Sequence, residues 1–198
     1  MNSDKLPHRP DTSPTFFERL YRSSEDPWNF RHSTYERERY AAICHSLADR
    51  EYRSAFEPGC AIGELTAMLA PLCRSLEAID FSASAVETAR HRCRDYRHVD
   101  IHRGALPEDV PEGPVDLIVF SEVGYYFTPE ALESLVIQLW SILEPGGRLI
   151  ACHWLGHSDD HQLHGSEVHN ILGRVLGAPD PGGPKTVNDG YTLQRWSK

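Results

Sequence analysis

The chain has 198 residues, 40% hydrophobic and 25% charged, with 29 acidic against 20 basic side chains and a formal net charge of −9. That length builds one domain with a sizeable core, and the acidic balance excludes a nucleic-acid backbone as partner, because such binding rests on cationic contacts. Five scattered cysteines with no Cys-x-x-Cys pair exclude a disulfide framework and point to a reducing, cytoplasmic setting; no apolar run approaches membrane-spanning length, and the first twenty residues lack a signal-peptide core.

Residues 1–14, polar and carrying Pro7, Pro10 and Pro14, are expected to form a disordered tail. The rest, 15–198, reads as one domain with an N-terminal helical lid (15–50) and a core (51–198). The lid holds an aromatic-rich segment, Phe16-Phe-Glu-Arg-Leu-Tyr21 and Asp26-Pro-Trp-Asn-Phe30. Ser33 and Glu36 form a capping-box pattern that opens a helix with Tyr40, Ile43, Cys44 and Leu47 on one face. Its aromatics have no place in a sheet pattern, so they either cap the fold statically or close over a ligand; closure is the expectation.

After Tyr52, strands and helices alternate. Apolar runs at 53–57, 75–80, 98–103, 115–121 and 147–153 predict strands, and helical patterns fill 63–71, 83–94 and 129–143. The last helix has Thr128 as cap, Pro129 at its first position, and Leu132, Leu135, Val136, Leu139, Trp140 and Leu143 as its stripe, and it stops at Glu144-Pro-Gly-Gly147. A helix over 166–177 and a strand at Tyr191–Trp196 close the chain. Such alternation predicts a doubly wound, mostly parallel Rossmann-like α/β sheet with helices on both faces and an antiparallel C-terminal strand. Ligands of such sheets bind at the carboxyl ends of the strands, here the loops near 57, 80, 104, 121 and 153.

The first of these loops, Glu57-Pro-Gly-Cys-Ala-Ile-Gly63, has Gly59 and Gly63 but lacks the middle glycine of a dinucleotide loop. Glu57 would repel a phosphate. A cofactor with an amine, a ribose and no phosphate fits better, and S-adenosylmethionine has that chemistry. A second acid should then meet the ribose hydroxyls after the next strand, and Asp80 stands 80 − 59 = 21 residues past Gly59.

With these residues in place the chain resembles the class I S-adenosylmethionine-dependent methyltransferases, and within them the nodulation N-methyltransferase (nodulation protein S) group. The resemblance runs from Asp26 to about Trp154. It is carried by Asp26-Pro-Trp28, Tyr35-Glu-Arg-Glu-Arg39, the Glu57–Gly63 loop, Leu69-Ala-Pro-Leu-Cys73, Ala78-Ile-Asp80, Asp116-Leu-Ile-Val-Phe-Ser-Glu-Val-Gly-Tyr-Tyr-Phe127 and Pro145-Gly-Gly147. It implies that Glu57, Gly59, Cys60 and Gly63 line the methionine part of the cofactor and Asp80 the ribose. Phe81 and Ser82 would flank ribose and adenine, Gly104, Ala105 and Leu106 would edge the adenine, and Ser121, Glu122 and Val123 would close the pocket. Trp28, Tyr35 and Arg39 are counted with the cofactor site, Arg39 as a partner for the methionine carboxylate with surface solvation as the alternative. The chain departs from the class pattern at Ala105, where many members carry an Asp, and at Gly124, where related sequences place a bulkier apolar residue.

Methyl transfer to an amine of a sugar or other small metabolite is the expected reaction. O-methylation, a non-catalytic S-adenosylmethionine-binding module and, further off, a nicotinamide-dependent oxidoreductase are the alternatives. No membrane partner is expected, and the sequence fits a monomer or a dimer equally. His153, Glu122 and Tyr126 are the candidate catalytic groups. His153 ends a strand, where it is either a base or a hydrogen-bonded structural residue; Glu122 serves the cofactor or the acceptor; Tyr125 and Tyr126 also read as packing aromatics. His157, His161 and His164 have helix-compatible metal spacing, but Gly156, Ser158 and the Asp159-Asp160 pair favour a loop that shapes the acceptor pocket, so no metal is expected.

Overall fold

The computed structural model describes residues 13–184 and 190–198. The expected tail therefore lies almost wholly outside the described residues. Helix α1 (Pro14–Ser23) and helix α2 (Thr34–Leu47) precede the sheet. Then follow β1 (Ala55–Pro58), α3 (Glu64–Leu69), β2 (Leu76–Asp80), α4 (Ala83–Arg92), β3 (Val99–Arg103), β4 (Val115–Ser121), α5 (Pro129–Ile142), β5 (Leu143–Trp154), α6 (Gly165–Leu176) and β6 (Tyr191–Ser197). The strands form one sheet in the order β3-β2-β1-β4-β5-β6. All neighbours are parallel except β5 and β6, so the doubly wound, mostly parallel sheet with an antiparallel last strand is as predicted.

Strand order reverses between β1 and β4, which makes the gap beyond their carboxyl ends the natural ligand crevice. The strands are apolar on both faces, and period-2 alternation divides their side chains between two cores. Phe56, Ile118, Phe120, Leu149 and Ala151 pack with α5 and α6. Ala55, Leu117, Val119, Ile150 and Cys152 pack with α2 and α3. The α5 stripe Leu132, Leu135, Val136 and Leu139 is fully buried, each side chain contributing roughly 1.5–3 kcal/mol. Thr128 caps α5 by accepting from the Ala131 N–H at 3.3 Å, with Pro129 following it as expected.

Two local expectations change. Ser33 caps α2 by accepting from the Glu36 N–H at 3.2 Å, but the Glu36 carboxylate pairs with Arg39 instead of returning to the cap. The turn at Glu144–Gly147 is absorbed into β5 as an irregularity, since Val115 pairs with Leu143 and Leu117 with Arg148, and Gly146 supplies a φ of +78° there.

Candidate functional site

A cleft opens where β1 and β4 end, on the α2/α3 side of the sheet. It brings together Glu57, Gly59, Cys60, Ser121, Glu122 and Arg39 from the predicted set, along with Phe30, Tyr40, Ile62 and Leu65. Alternation places them there. Glu57 follows Ala55 on the α2/α3 face of β1, and Ser121 follows Leu117 and Val119 on the same face of β4.

The loop after β1 is built by special backbone geometry. Gly59 and Gly63 take φ values of +74° and +81°, and even Ala61 sits at +49°. A Cβ on Gly59 would lie 2.4 Å from a methyl of Val123, and one on Gly63 would lie 2.9 Å from the Ala89 backbone. Both positions need glycine for close approach as well as for φ. Strained backbone of this kind collects at binding sites. Asp80 holds the loop in place: its carboxylate accepts from the Ala61 N–H at 3.0 Å and from the Ser82 N–H at 2.9 Å. Burial raises its pKa to about 6 despite those two bonds.

The cleft is lined by a buried acid and a buried base. Glu57 is 2% exposed, and its Oε2 has no hydrogen-bond partner. Burial pushes this carboxyl up to about 8, the nearby Thr66 hydroxyl opposing only in part. Arg39 is fully buried, pairs with Glu36 and lies 2.5 Å from Glu122. Burial alone would lower its pKa, yet Glu122 and Glu36 hold it well above the ordinary value. Its Nε, like the Ser121 hydroxyl, has no hydrogen-bond partner. Orphaned buried polar atoms of both signs are costly to a fold, and their concentration in one crevice marks a place for a polar ligand.

Glu122 is a junction. It adopts a φ of +60° and accepts from the Trp154 N–H at 2.7 Å and the Tyr125 hydroxyl at 2.8 Å, besides pairing with Arg39. Both carboxylate oxygens are thereby engaged with the cleft wall.

The N-terminal segment covers this edge. Glu18 of α1 accepts from the Ser82 hydroxyl at 2.7 Å and the Ser84 hydroxyl at 2.9 Å, bonds that hold its carboxyl down at about 2. Phe17 is wedged against Phe81 and Tyr126, with centroids 5.3 and 5.0 Å away. Ser82 itself is fully buried as the α4 cap, accepting from the Ala85 N–H. Lined from the N-terminal segment by Phe30, Arg39 and Tyr40, the cleft holds a cavity of only about 40 Å³, against the roughly 300–1,000 Å³ of ordinary ligand pockets.

Several expectations are corrected. His153 is fully buried on the other face of the sheet: its Nε2 accepts from the Gly124 N–H at 3.0 Å and its Nδ1 meets His169 Nε2 at 3.3 Å. His169 in turn bonds Gln194 through Nδ1 at 2.7 Å, which fixes both tautomers along the relay. Burial and the neighbouring His169 lower the His153 pKa well below its ordinary value. It is a structural residue, with no free lone pair for a proton. The same relay explains Gly124, where a Cβ would lie 2.5 Å from Val168 and 2.9 Å from His153 Nε2. Burial, with nearby Asp160 and Glu122, raises the Tyr126 pKa well above its ordinary value, and its ring packs edge-on against Phe17 and His161.

Trp28 stacks on Phe30 at 5.7 Å and stays 36% exposed, so Phe30 takes the cleft position expected of it. Tyr35 donates to the Gly190 carbonyl at 2.9 Å, and Tyr40 from the same helix lines the cleft instead. Gly104, Ala105 and Leu106 follow β3. Gly104 donates to the Asp80 carbonyl, Ala105 donates to Asp109 at 2.8 Å, and Leu106 packs on the core. Asp109, four residues on, is thus committed to the Ala105 backbone.

The three loop histidines diverge. His157 is exposed, His161 stacks on Tyr125 at 3.7 Å, and His164 caps α6 while Glu167 returns to its N–H. Among the described residues no group of three potential ligands comes together.

The family model of nodulation protein S (NodS) matches residues 14–160, well over half of the chain. The chain belongs to the nodulation protein S family. It is 37% identical over 133 residues to nodulation protein S of Bradyrhizobium diazoefficiens, an alignment covering 64% of this chain and 61% of that protein. With nodulation protein S of Sinorhizobium fredii the identity is 32% over 130 residues, covering 65% and 60%. The chain thus spans about 60% of the length of these curated relatives. The crystal structure of N-methyltransferase NodS from Bradyrhizobium japonicum WM9 in complex with S-adenosyl-L-homocysteine superposes with a TM-score of 0.79 at 25% identity, covering 92% of this chain and 96% of that one. The class I methyltransferase architecture of the NodS family is therefore shared from α1 to β6.

Proposed function

We propose that this protein transfers a methyl group from S-adenosylmethionine to an amine of a small acceptor. The observation that carries the reading is the cleft's pair of buried ionisable groups, a carboxyl and a guanidinium, at the sheet's switch point. Glu57 with its unpartnered oxygen suits an ammonium, and Arg39 with its unpartnered Nε suits a carboxylate. An amino-acid zwitterion fits that lining; a pyrophosphate does not. Membership of the NodS family supports the same cofactor and an amine acceptor.

In this reading Gly59 and Gly63 let the backbone approach the methionine part. Asp80 accepts from the ribose, Phe81 and Ser82 border it, Gly104 to Leu106 edge the adenine, and Ser121 to Val123 close the pocket. The bound cofactor supplies an electrophilic methyl on a sulfonium, and the protein's share is to align donor and acceptor and to exclude water. The absence of any helix long and apolar enough to cross a membrane among the described residues, together with free thiols at all five cysteines, fits a cytoplasmic enzyme with small-molecule substrates.

Calorimetry with S-adenosylmethionine, S-adenosylhomocysteine and NAD, followed by transfer of labelled methyl to amine and hydroxyl acceptors, tests this. Binding of the first two, none of NAD, and labelled amines are expected. NAD binding alone would sink the cofactor, and label confined to hydroxyls would sink the amine.

Residues 15–50 act as the lid. Since the cavity beneath them is far smaller than a nucleoside, cofactor entry requires the part of this segment that lines it, Phe30 with Arg39 and Tyr40, to move. Amide exchange over 16–40 is expected to be faster than in α5 and to slow when S-adenosylhomocysteine is added. Identical exchange with and without it would mean a fixed cap.

A further inference from the structure

With His153 turned into the α6 core and Glu122 and Tyr125 bonded to one another, two titratable side chains on this edge keep an unpartnered acceptor atom among the described residues: Glu57, already set against the cofactor, and His161. His161 sits on the 155–164 loop between β5 and α6. That loop is tied to the turn after β4: the Gln162 and Leu163 N–H groups both donate to the Tyr125 carbonyl, at 2.8 and 3.2 Å, and the Gln162 side-chain amide donates to the Tyr126 carbonyl at 2.7 Å. The imidazole is thereby held flat on the Tyr125 ring at 3.7 Å, edge-on to Tyr126 at 5.4 Å, with Trp154 at 6.2 Å. Its side chain is 9% exposed, and Nδ1 is buried without a hydrogen-bond partner. Nε2 lies 4.0 Å from Asp160 Oδ1.

Position gives this orphan its meaning. Phe81 directly follows β2, Phe17 packs on Phe81, Tyr126 packs on Phe17, and His161 packs edge-on against Tyr126. The aromatic row thus leads from the cofactor's sugar to His161, across the edge where an acceptor must approach.

We propose that His161 is the catalytic residue that takes a proton from the acceptor's ammonium, through Nδ1, with Asp160 holding the imidazolium that results. The proposal rests on the amine-methylation reading above. In the step, one N–H bond of the ammonium breaks and its electron pair stays on nitrogen as the nucleophilic lone pair. The Nδ1–H bond forms with the imidazole's own pair, and the proton later leaves to solvent. The carboxylate of Asp160 favours the neutral tautomer with hydrogen on Nε2, which leaves Nδ1 open. The charged and titratable groups facing the ring are Asp160 and Glu122, which favour its cation, and His157 and His164, which oppose it. Burial outweighs them and keeps the free imidazole neutral, ready to accept.

Three measurements on the full chain test the proposal, with glucosamine as the amine probe. His161→Asn and His161→Gln are expected to bind S-adenosylhomocysteine with nearly unchanged affinity and to melt close to wild type. Their turnover at pH 7 should fall about 10²-fold or more, the scale for losing a general base. That defect should shrink as pH rises and the amine loses its own proton. In wild-type protein loaded with S-adenosylhomocysteine, glucosamine should shift the His161 imidazole resonances. A defect equal at every pH, normal turnover of His161→Asn, or unmoved His161 resonances would each overturn the assignment. Wild-type protein that methylates no amine would remove the reaction and His161 together, whereas active wild type beside an equally active His161→Asn removes His161 alone.

Discussion

Arg39→Met is expected to destabilise the fold by about 3–5 kcal/mol, the scale for breaking a buried ion pair from one side. The guanidinium has no exposure and stands between two carboxylates, Glu36 and Glu122, whose side chains are 13% and 21% exposed. It also lies over the rings of Tyr35 and Tyr40, at 5.9 and 5.4 Å. Methionine fills the space but leaves the two acids facing each other in a dry wall. For a domain of this size the loss corresponds to a melting temperature lower by roughly 6–20 °C. Urea titration of Arg39→Met, alone and combined with Glu122→Gln, measures it, and the second change should recover part of the loss by removing one stranded charge. A single variant that melts with wild type would show that Arg39 is held for the ligand only and contributes nothing to the empty fold.

The same residue shows how far the sequence could be read. Strand and helix periods place every element of the sheet, because apolar runs bounded by turn residues leave few alternatives. The cofactor loop is equally legible, since an acid before a two-glycine turn and a second acid one strand later have a chemical meaning at that spacing. Reading His153 as a base failed for a reason of parity. Its position at a strand end gives the edge of the sheet but not the face. Leu149 and Ala151, four and two residues earlier, belong to the α5/α6 core, and His153 follows them there to meet His169. Glu57 and Ser121 continue the opposite face, which is where α2 brings Arg39 and Tyr40. That alternation was present in the sequence. Phe17 and His161 stand out only as members of an aromatic segment and a histidine run, and Glu18 not at all: their contacts span loops whose return path no local pattern encodes.

Glu57 carries the second large effect, and its sign follows from where its proton sits. Burial holds the native carboxyl near 8, against 4.5 for an unperturbed one. Between those values the unfolded chain has lost the proton and the native protein keeps it. The native state therefore binds more protons there, and stability falls as pH rises from about 4.5 to 8 and then levels. Glu57→Gln, neutral throughout, is expected to abolish that slope. Ligand binding runs the other way. An ammonium placed against Glu57 favours the carboxylate, so S-adenosylhomocysteine should expel the proton as it binds. Its apparent affinity should then climb by about tenfold per pH unit from roughly pH 6 to 8, because each unit is worth about 1.4 kcal/mol. In Glu57→Gln the affinity should be flat with pH and weaker by about 1.5–3 kcal/mol at pH 8, the scale of a hydrogen bond to a charged group. Calorimetry in two buffers of different ionisation heat counts the released proton directly. Equal heats in both buffers would mean that the ammonium is held elsewhere, by loop carbonyls alone, and that the unpartnered oxygen of Glu57 faces some other part of the ligand.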